Sequence, residues 1–392
     1  MLFSLALILL CGMLGEKICQ KLKLPPLLGM LITGIILGPS VFNQIDTSIL
    51  NVSADLRKIA LIIILIRAGL TLNLDDLKKV GRPALLMCFV PACFELTGSL
   101  LLGPTLLHLT VLESAILGSV LAAVSPAVIV PKMVQLIEEG YGKEHSIPQL
   151  ILAGASVDDV VVIVLFSTFT ALAKGGDVNF TKFINIPISI VLGILIGLTL
   201  GKSFAKYFKK YHLRDTSKVF IFLAIAFILC TIEDNIPFSI TFSALLAIMA
   251  MGIGIQKENQ LLALRLSTKF NKLWIIAQIF LFILVGASVD LTYLSHLGIP
   301  CFIFLVGILI FRSIGVLICL IKTKLNKKER IFCMIAYLPK ATVQASIGGL
   351  PMAMGLACGD LVLTMAVLAI LITAPLGAFL IDRTYQKLLT KD

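Results

Sequence analysis

The sequence predicts an all-α membrane protein of about 13 transmembrane helices, arranged as two inverted six-helix repeats with two broken helices. Three observations support this fold class. The 392 residues are 58% hydrophobic and only 14% charged, with a mean hydropathy of +1.04. Apolar stretches near the ~20 residues that cross a bilayer recur along the chain, and basic residues cluster between them. This composition excludes soluble domains, nucleic-acid binding and secreted enzymes.

Polar interruptions divide the chain into its predicted spans. The first, Leu2 to Gly15, lacks a positively charged flank, and Glu16-Lys17 replaces a cleavage site, so we expect a retained helix rather than a signal peptide. The whole of 1–392 is expected to form a single transmembrane unit. The predicted spans are 2–18, 25–40, 56–72, 83–106, 112–134, 147–173, 184–208, 217–232, 238–255, 273–290, 298–321, 329–355 and 360–381.

The charges of the connections predict the orientation. The formal net charge is +11, and the basic residues concentrate in alternate connections, for example 202–218 and 322–330. The intervening connections, such as 43–55, contain no Lys or Arg, and only Lys174 and Lys182 break the alternation. The positive-inside rule then predicts an outside N-terminus and a cytoplasmic C-terminus in the plasma (inner) membrane.

Two internal echoes predict the repeats. The string that begins at Gly69 recurs at Gly286, and the string that begins at Gly34 recurs at Ala250, with nearly the same separation. Both echoes shift by an odd number of spans, so the two halves would be inserted in opposite orientations, as in secondary transporters. We predict repeat 1 at about 1–173, a linker helix at about 184–208 and repeat 2 at about 217–381.

Two adjacent acids lie in the middle of the span 147–173. Ionisable groups at this depth are costly and are functional candidates by default. Asp158 and Asp159 point ~100° apart on a helix, so they do not face each other as a protease dyad would. An isolated carboxylate in a low-dielectric medium binds either a proton or a small cation, and competition between the two suffices for exchange. Ser156 lies on the face of Asp159 and is a further candidate ligand.

Two spans contain prolines at matching places in the two repeats. Ser125-Pro126 lies inside the span 112–134, and Leu338-Pro339-Lys340 lies inside 329–355. Proline removes a backbone donor and frees carbonyls, so each span is expected to break. Simple kinks explain each break alone but not their correspondence, whereas paired broken helices are typical of ion sites in transporters.

Three further buried charges are candidates for ion pairing or charge balance: Glu95, Arg312 and Lys340. A buried Arg312 needs a carboxylate partner, and the sequence leaves both Glu95 and Asp158 open. It equally leaves open whether Arg312 is structural or mechanistic.

These motifs resemble the monovalent cation:proton antiporter superfamily, second branch, and within it the NHA-type sodium/proton exchangers. The resemblance covers essentially the whole chain. It depends most on the Asp158-Asp159 pair and on the string from Leu338 to Ala345, with support from Leu24 to Gly29, Arg67 to Leu70, Ser125 to Val128 and Ile372 to Pro375.

The resemblance implies a dimerisation domain, a moving core domain in which the two broken helices cross beside the aspartate helix, and a homodimer. It also implies that Asp159 is the principal cation and proton ligand with Asp158 beside it, and that Ser125, the Val124 carbonyl and the neighbouring Pro126 line the site. Electrogenic bacterial members have a lysine at the Arg312 position, whereas NHA-type members resemble this chain in having arginine there and a glutamate at the Glu95 position. A Glu95–Arg312 pair is therefore implied, and both electroneutral and electrogenic exchange remain open.

We therefore predict a sodium (or lithium)/proton antiporter rather than an enzyme, with sodium bound at Asp159 and no cofactor. Its expected partners are monovalent cations, protons and the lipid bilayer. The alternatives are a potassium/proton antiporter and a sodium-coupled symporter of related fold. An intramembrane aspartyl protease would need acids on facing helices, and a non-transporting ion sensor stays compatible with the sequence.

Overall fold

A computed structural model describes residues 1–72, 81–174, 180–211, 213–235 and 242–391, apart from the side chains of 156, 174, 180–187, 234 and 291–297. The described residues are predominantly helical. The helices are α1 Leu2–Lys21, α2 Pro26–Leu37, α3 Thr47–Asn51, α4 Ser53–Thr71, α5 Arg82–Met87, α6 Val90–Leu106, α7 Val111–Leu121, α8 Pro126–Glu139, α9 Ile147–Lys174, α10 Phe180–Lys210, α11 Asp215–Asn235, α12 Ala244–Glu258, α13 Gln260–Ala287, α14 Leu291–Cys319, α15 Lys327–Ala336, α16 Thr342–Ile347, α17 Leu350–Ala353 and α18 Gly359–Leu388.

The helices have the length and composition of a multi-pass membrane protein. Within the described part of the chain, nine helical stretches have at least 18 residues and are apolar enough to cross a membrane. Only helices and closed barrels satisfy their backbone groups internally in lipid, which explains the predominance of helix in so apolar a chain. The all-α fold class is thereby confirmed, while the count of thirteen spans and the repeat boundaries stay predictions.

The chain forms two compact units. The first contains residues 1–55, 74–166 and 279–392, and the second contains 56–73 and 167–278. In the first unit α6 packs along α14 and against α7, and α18 packs against α15. A Cβ at Gly98 of α6 would lie 2.8 Å from the Phe311 ring of α14. The small residue therefore allows these two helices to approach closely.

The second unit is built around the pair α10 and α12. A Cβ at Gly197 of α10 would lie 2.2 Å from the Ala247 carbonyl oxygen of α12, so the two backbones touch where the side chain is absent. Phe204 and Phe208 of α10 extend this packing to Phe222 of α11, and Phe222 contacts Phe270 of α13. Aromatic rings thus form the contacts of α11 with α10 and α13.

One helical irregularity was not predicted, and a second lies at the predicted start of the span 298–321. The span predicted at 83–106 is interrupted at Cys88 and Phe89, directly before the Pro91 ring that α6 carries in its first turn. Gly298 in α14 has φ +41°, a left-handed conformation that favours glycine, and Pro300 follows it. Both interruptions occur where a proline removes a backbone donor.

Candidate ion-binding site

The first predicted break occurs inside the span 112–134. The helix α7 ends at Leu121, residues 122–125 are not helical, and α8 begins at Pro126. Ser125 is extended, with φ −91° and ψ 110°, because proline disfavours the helical conformation in the residue before it. The break therefore exposes the carbonyl end of α7 and the amide end of α8 in the interior of the protein.

The second predicted break lies in the span 329–355 and meets the first. The helix α15 ends at Ala336, and α16 begins at Thr342. The Ser125 amide donates a hydrogen bond of 2.8 Å to the Pro339 carbonyl. The two non-helical segments thus satisfy part of each other's backbone, which a simple proline kink does not require.

Two side chains from the second break complete this backbone pairing. Lys340 Nζ donates to the Leu121 carbonyl at 2.5 Å, and Gln344 Nε2 donates to the Ala123 carbonyl at 2.8 Å. The Lys340 amide donates to Thr373 Oγ1 of α18 at 2.9 Å. Lys340, Gln344 and Thr373 are fully buried. Buried side chains therefore satisfy backbone groups of both breaks.

Four buried charges form one cluster beside the breaks. Arg312 Nη1 lies 2.8 Å from Glu95 Oε2, and Arg312 Nη2 lies 3.0 Å from Asp158 Oδ2. Lys340 Nζ lies 2.6 Å from the other Glu95 oxygen. All four side chains are at most 1% exposed. Both partners that the sequence left open for Arg312 are therefore bound at once.

The remaining donors of Arg312 bind backbone carbonyls. Its Nε donates to the Tyr337 carbonyl at 2.7 Å, and its Nη1 also donates to the Ala122 carbonyl. The guanidinium group thus contacts both breaks and both acids through one planar set of donors. A lysine, with a single charged nitrogen, does not reproduce this geometry.

Asp158 and Asp159 have different surroundings. Asp158 Oδ2 accepts hydrogen bonds from Arg312 and from the Val124 amide, the latter at 2.8 Å, which places Asp158 beside the first break. Asp159 forms no salt bridge among the described residues, and its solvent-inaccessible Oδ1 accepts no hydrogen bond from them. The side chain of Ser156 lies outside the described residues.

Of the other buried oxygens without a hydrogen-bond partner in the described part of the chain, one is Oδ1 of the adjacent Asp158 and one is Ser125 Oγ at the first break. Buried polar atoms in native proteins nearly always have a partner, so these oxygens are candidate ligands for an ion. Ser125 follows the residue whose amide contacts Asp158, and Pro126 is half-buried after it. The predicted residues Val124, Ser125, Asp158 and Arg312 are thus linked by direct contacts or chain adjacency.

Sequence reasoning missed three residues of this site. Gln344 and Thr373 satisfy backbone groups of the breaks, and Tyr337 supplies a carbonyl to Arg312. Gln344 and Thr373 are polar residues inside apolar spans, a signal that could have selected them. Tyr337 carries no such signal, because an aromatic residue in an apolar span does not reveal that its carbonyl and its ring contact Arg312.

Tyr337 also packs against the helix that carries the two aspartates. A Cβ at Gly154, one turn before Asp158, would lie 2.0 Å from Tyr337 Oη and 3.0 Å from Met87 Cβ. Tyr337 is 1% exposed, so the added methyl group would have to displace a buried ring. We expect Gly154→Ala to lower the free energy of unfolding by about 1–3 kcal/mol, measured by thermal melting of the purified protein.

The double variant Gly154→Ala with Tyr337→Phe is the matched control. Removing Oη leaves Tyr337 Cζ, 3.3 Å from the added methyl group, as the nearest atom of the ring. Because Oη has no hydrogen-bond partner among the described residues, its removal costs little. The double variant should regain most of the lost stability. Equal melting of the single and double variants would show that Oη is not the obstacle.

Known proteins similar to this chain identify its family. A family model described as "Sodium/hydrogen exchanger, transmembrane" matches residues 5–386. Human sodium/hydrogen exchanger 9B2 is 33% identical over 414 residues, covering all of this chain and 75% of that protein. Human sodium/hydrogen exchanger 9B1 is 31% identical over 412 residues, covering all of this chain and 78% of that protein.

A solved structure has the same fold. The sodium proton antiporter MjNhaP1 from Methanocaldococcus jannaschii, determined at pH 8, superimposes with a TM-score of 0.83 at 22% sequence identity, covering 99% of each chain. The predicted membership of the monovalent cation:proton antiporter superfamily is confirmed. Since the family model and the human relatives extend over nearly the whole chain, this protein belongs to the sodium/hydrogen exchanger family.

Proposed function

We propose that this protein exchanges sodium or lithium for protons across the plasma membrane, by competition of the cation and the proton at Asp159. The observation that carries the proposal is the unequal pairing of three acids. Glu95 and Asp158 bind Arg312 and Lys340, whereas Asp159 forms no ion pair among the described residues. A carboxylate in the membrane interior without a counter-charge needs a cation or a proton.

Candidate oxygen ligands for a small cation lie on α9 beside Asp159 in sequence and at the first break. Asp158 Oδ1 and Ser125 Oγ have no hydrogen-bond partner in the described part of the chain. The Val124 carbonyl lies in the same non-helical segment as Ser125. The amide of the same residue donates a hydrogen bond to Asp158. Hydroxyl, carbonyl and carboxylate oxygens at a broken helix are the ligand types that transporters use for sodium. Ser156 joins them in this proposal as a further oxygen ligand.

Alternating access follows in this proposal from two inverted six-helix repeats within thirteen spans. The matching positions of the two breaks and the echoes at Gly69 and Gly286 support that arrangement. We further infer a homodimer with the N-terminus outside and the C-terminus in the cytoplasm, in agreement with the alternation of basic connections. Neither the repeats nor the dimer is needed for the assay below.

Exchange is tested in proteoliposomes that contain the purified protein and a set proton gradient, reported by a pH-sensitive dye. Sodium, lithium, potassium and choline are added separately. We expect sodium or lithium to dissipate the gradient and choline to have no effect. Dissipation by potassium alone would identify the potassium/proton alternative. If no cation moves protons, a sodium-coupled symporter or an ion sensor replaces the antiporter.

The charge inventory of the site predicts one-for-one exchange. Two acids, Glu95 and Asp158, face two bases, Arg312 and Lys340, so Asp159 contributes one excess negative charge. One monovalent cation or one proton neutralises that charge in turn. We expect a potassium/valinomycin clamp of the membrane potential to leave the initial exchange rate unchanged.

The same vesicles provide the control for this stoichiometry. An imposed membrane potential of 100 mV is worth about 2.3 kcal/mol for each net charge moved, so electrogenic exchange would respond strongly to it. A rate that changes with the sign of the imposed potential would contradict one-for-one exchange. It would then point to a second proton carried by Asp158 or Lys340.

A further inference from the structure

A cavity of about 450 Å³ lies in the second unit, where α10 ends, α11 begins and α12 connects to α13. Its volume falls in the range of about 300–1,000 Å³ that is typical of ligand pockets. Four basic side chains and one acidic side chain line it: Lys209, Arg214, Lys218, Arg265 and Asp215. Positive charge is therefore in excess in a concave site that the exchange proposal does not use.

The single acid of the cavity is already bound. Asp215 Oδ1 lies 3.0 Å from Lys218 Nζ, and Asp215 Oδ2 lies 3.7 Å from Arg265 Nε. Lys218 is 4% exposed, and its Nζ lies 5.6 Å from the centroid of the Phe208 ring. Lys209 and Arg214 are exposed and form no ion pair with any described residue. These two side chains can bind an anion without breaking a contact.

The surroundings of the cavity are those of a membrane surface. Tyr207 and Tyr211 are about half exposed near the end of α10, with ring centroids 4.8 Å apart. Phe220 of α11 is 65% exposed and Leu261 of α13 is 77% exposed. Tyrosines at the ends of apolar helices mark the level of the lipid headgroups. Basic residues at this level bind anionic headgroups.

We propose that this cavity binds the phosphate group of an anionic phospholipid, with Lys209 and Arg214 as its principal ligands. The buried Lys218–Asp215 pair forms the wall of the site, and the acyl chains lie along the exposed apolar side chains of α11 and α13. The headgroup thereby connects the end of α10 to the start of α11. This site is separate from Asp159 and does not depend on the exchange mechanism.

Lipid binding is tested by native mass spectrometry of the full chain in detergent, titrated with phosphatidylglycerol or with phosphatidylcholine. We expect phosphatidylglycerol to bind at least roughly tenfold more tightly, since both phospholipids carry a phosphate but only phosphatidylglycerol has a net negative charge. The variant Lys209→Gln/Arg214→Gln should weaken phosphatidylglycerol binding roughly tenfold. The conservative variant Lys209→Arg/Arg214→Lys should retain it.

The variant Lys269→Gln/Lys272→Gln is the matched control, because it removes two exposed lysines of α13 that do not line the cavity. Equal weakening by both glutamine variants would overturn the site, since it would show binding to the general basic surface. Competition arms with inorganic phosphate and glycerol 3-phosphate separate the two sources of phosphate. If either displaces phosphatidylglycerol at equal concentration, the site binds a free phosphate compound and the lipid assignment is wrong.

Discussion

Proteoliposomes that contain Asp159→Asn are expected to show no sodium-dependent or lithium-dependent proton movement. The amide keeps the shape of the carboxyl group but removes both its charge and its titratable proton. At an effective dielectric constant of ~20, loss of one unit charge ~4 Å from a cation removes about 4 kcal/mol of attraction. That energy corresponds to roughly a thousandfold loss of cation affinity. The initial rate of dye recovery after sodium addition measures the loss.

The variant is also expected to fold and melt like the wild type. Asp159 forms no ion pair among the described residues, so its neutralisation breaks no observed contact and relieves an uncompensated charge. Asp360→Asn is the matched control, because Asp360 is an exposed acid in the first turn of α18 and its loss should leave exchange unchanged. Exchange retained by Asp159→Asn in well-folded protein would remove Asp159 from the mechanism.

Asp158→Asn should behave differently from Asp159→Asn. Asp158 binds both Arg312 and the Val124 amide, so its neutralisation weakens the contact that connects α9 to the first break. The two adjacent acids thus differ in their partners: Asp158 connects α9 to the first break, whereas Asp159 forms no ion pair among the described residues. Sequence alone assigned both to one site, because adjacency along a helix does not reveal which of two carboxylates is paired.

Local signals made the helices and the breaks predictable. In lipid, a chain that does not close into a barrel can satisfy its backbone hydrogen bonds only as helices. The breaks were predictable because Pro126 and Pro339 lack a backbone N–H, and both prolines are visible in the sequence. The interruption at Cys88 and Phe89 was missed although Pro91 was visible, because proline in the first turn of a new helix and proline inside a continuous one look alike in sequence.

Tertiary contacts explain what could not be predicted. Glu95, Asp158 and Arg312 lie on three helices that are far apart in sequence. Arg312 binds both acids because its two terminal nitrogens donate in different directions. From the sequence, Glu95 and Asp158 were alternative partners of Arg312. Gln344 likewise acts on the carbonyls of Leu121 and Ala123, and no property of its neighbours identifies those distant groups.

The cluster around Arg312 leads to the largest expected change in stability. Arg312→Met would leave Asp158 without a basic partner and remove the donors that bind the carbonyls of Ala122 and Tyr337. Breaking a buried pair by removing one partner typically costs about 3–5 kcal/mol, because the remaining charge stays buried. We therefore expect a large fall in the melting temperature of Arg312→Met in detergent.

Two further variants separate charge from geometry in this cluster. Arg312→Lys keeps the charge but has one nitrogen in place of the planar fork, so its melting temperature should lie between those of Arg312→Met and the wild type. Arg383→Gln removes an exposed arginine of α18 and should melt like the wild type. If Arg312→Met melted with the wild type, other groups would stabilise Glu95 and Asp158, and pairing would no longer distinguish these two acids from Asp159. The one-for-one stoichiometry would then lose its basis together with the ion-pair cluster.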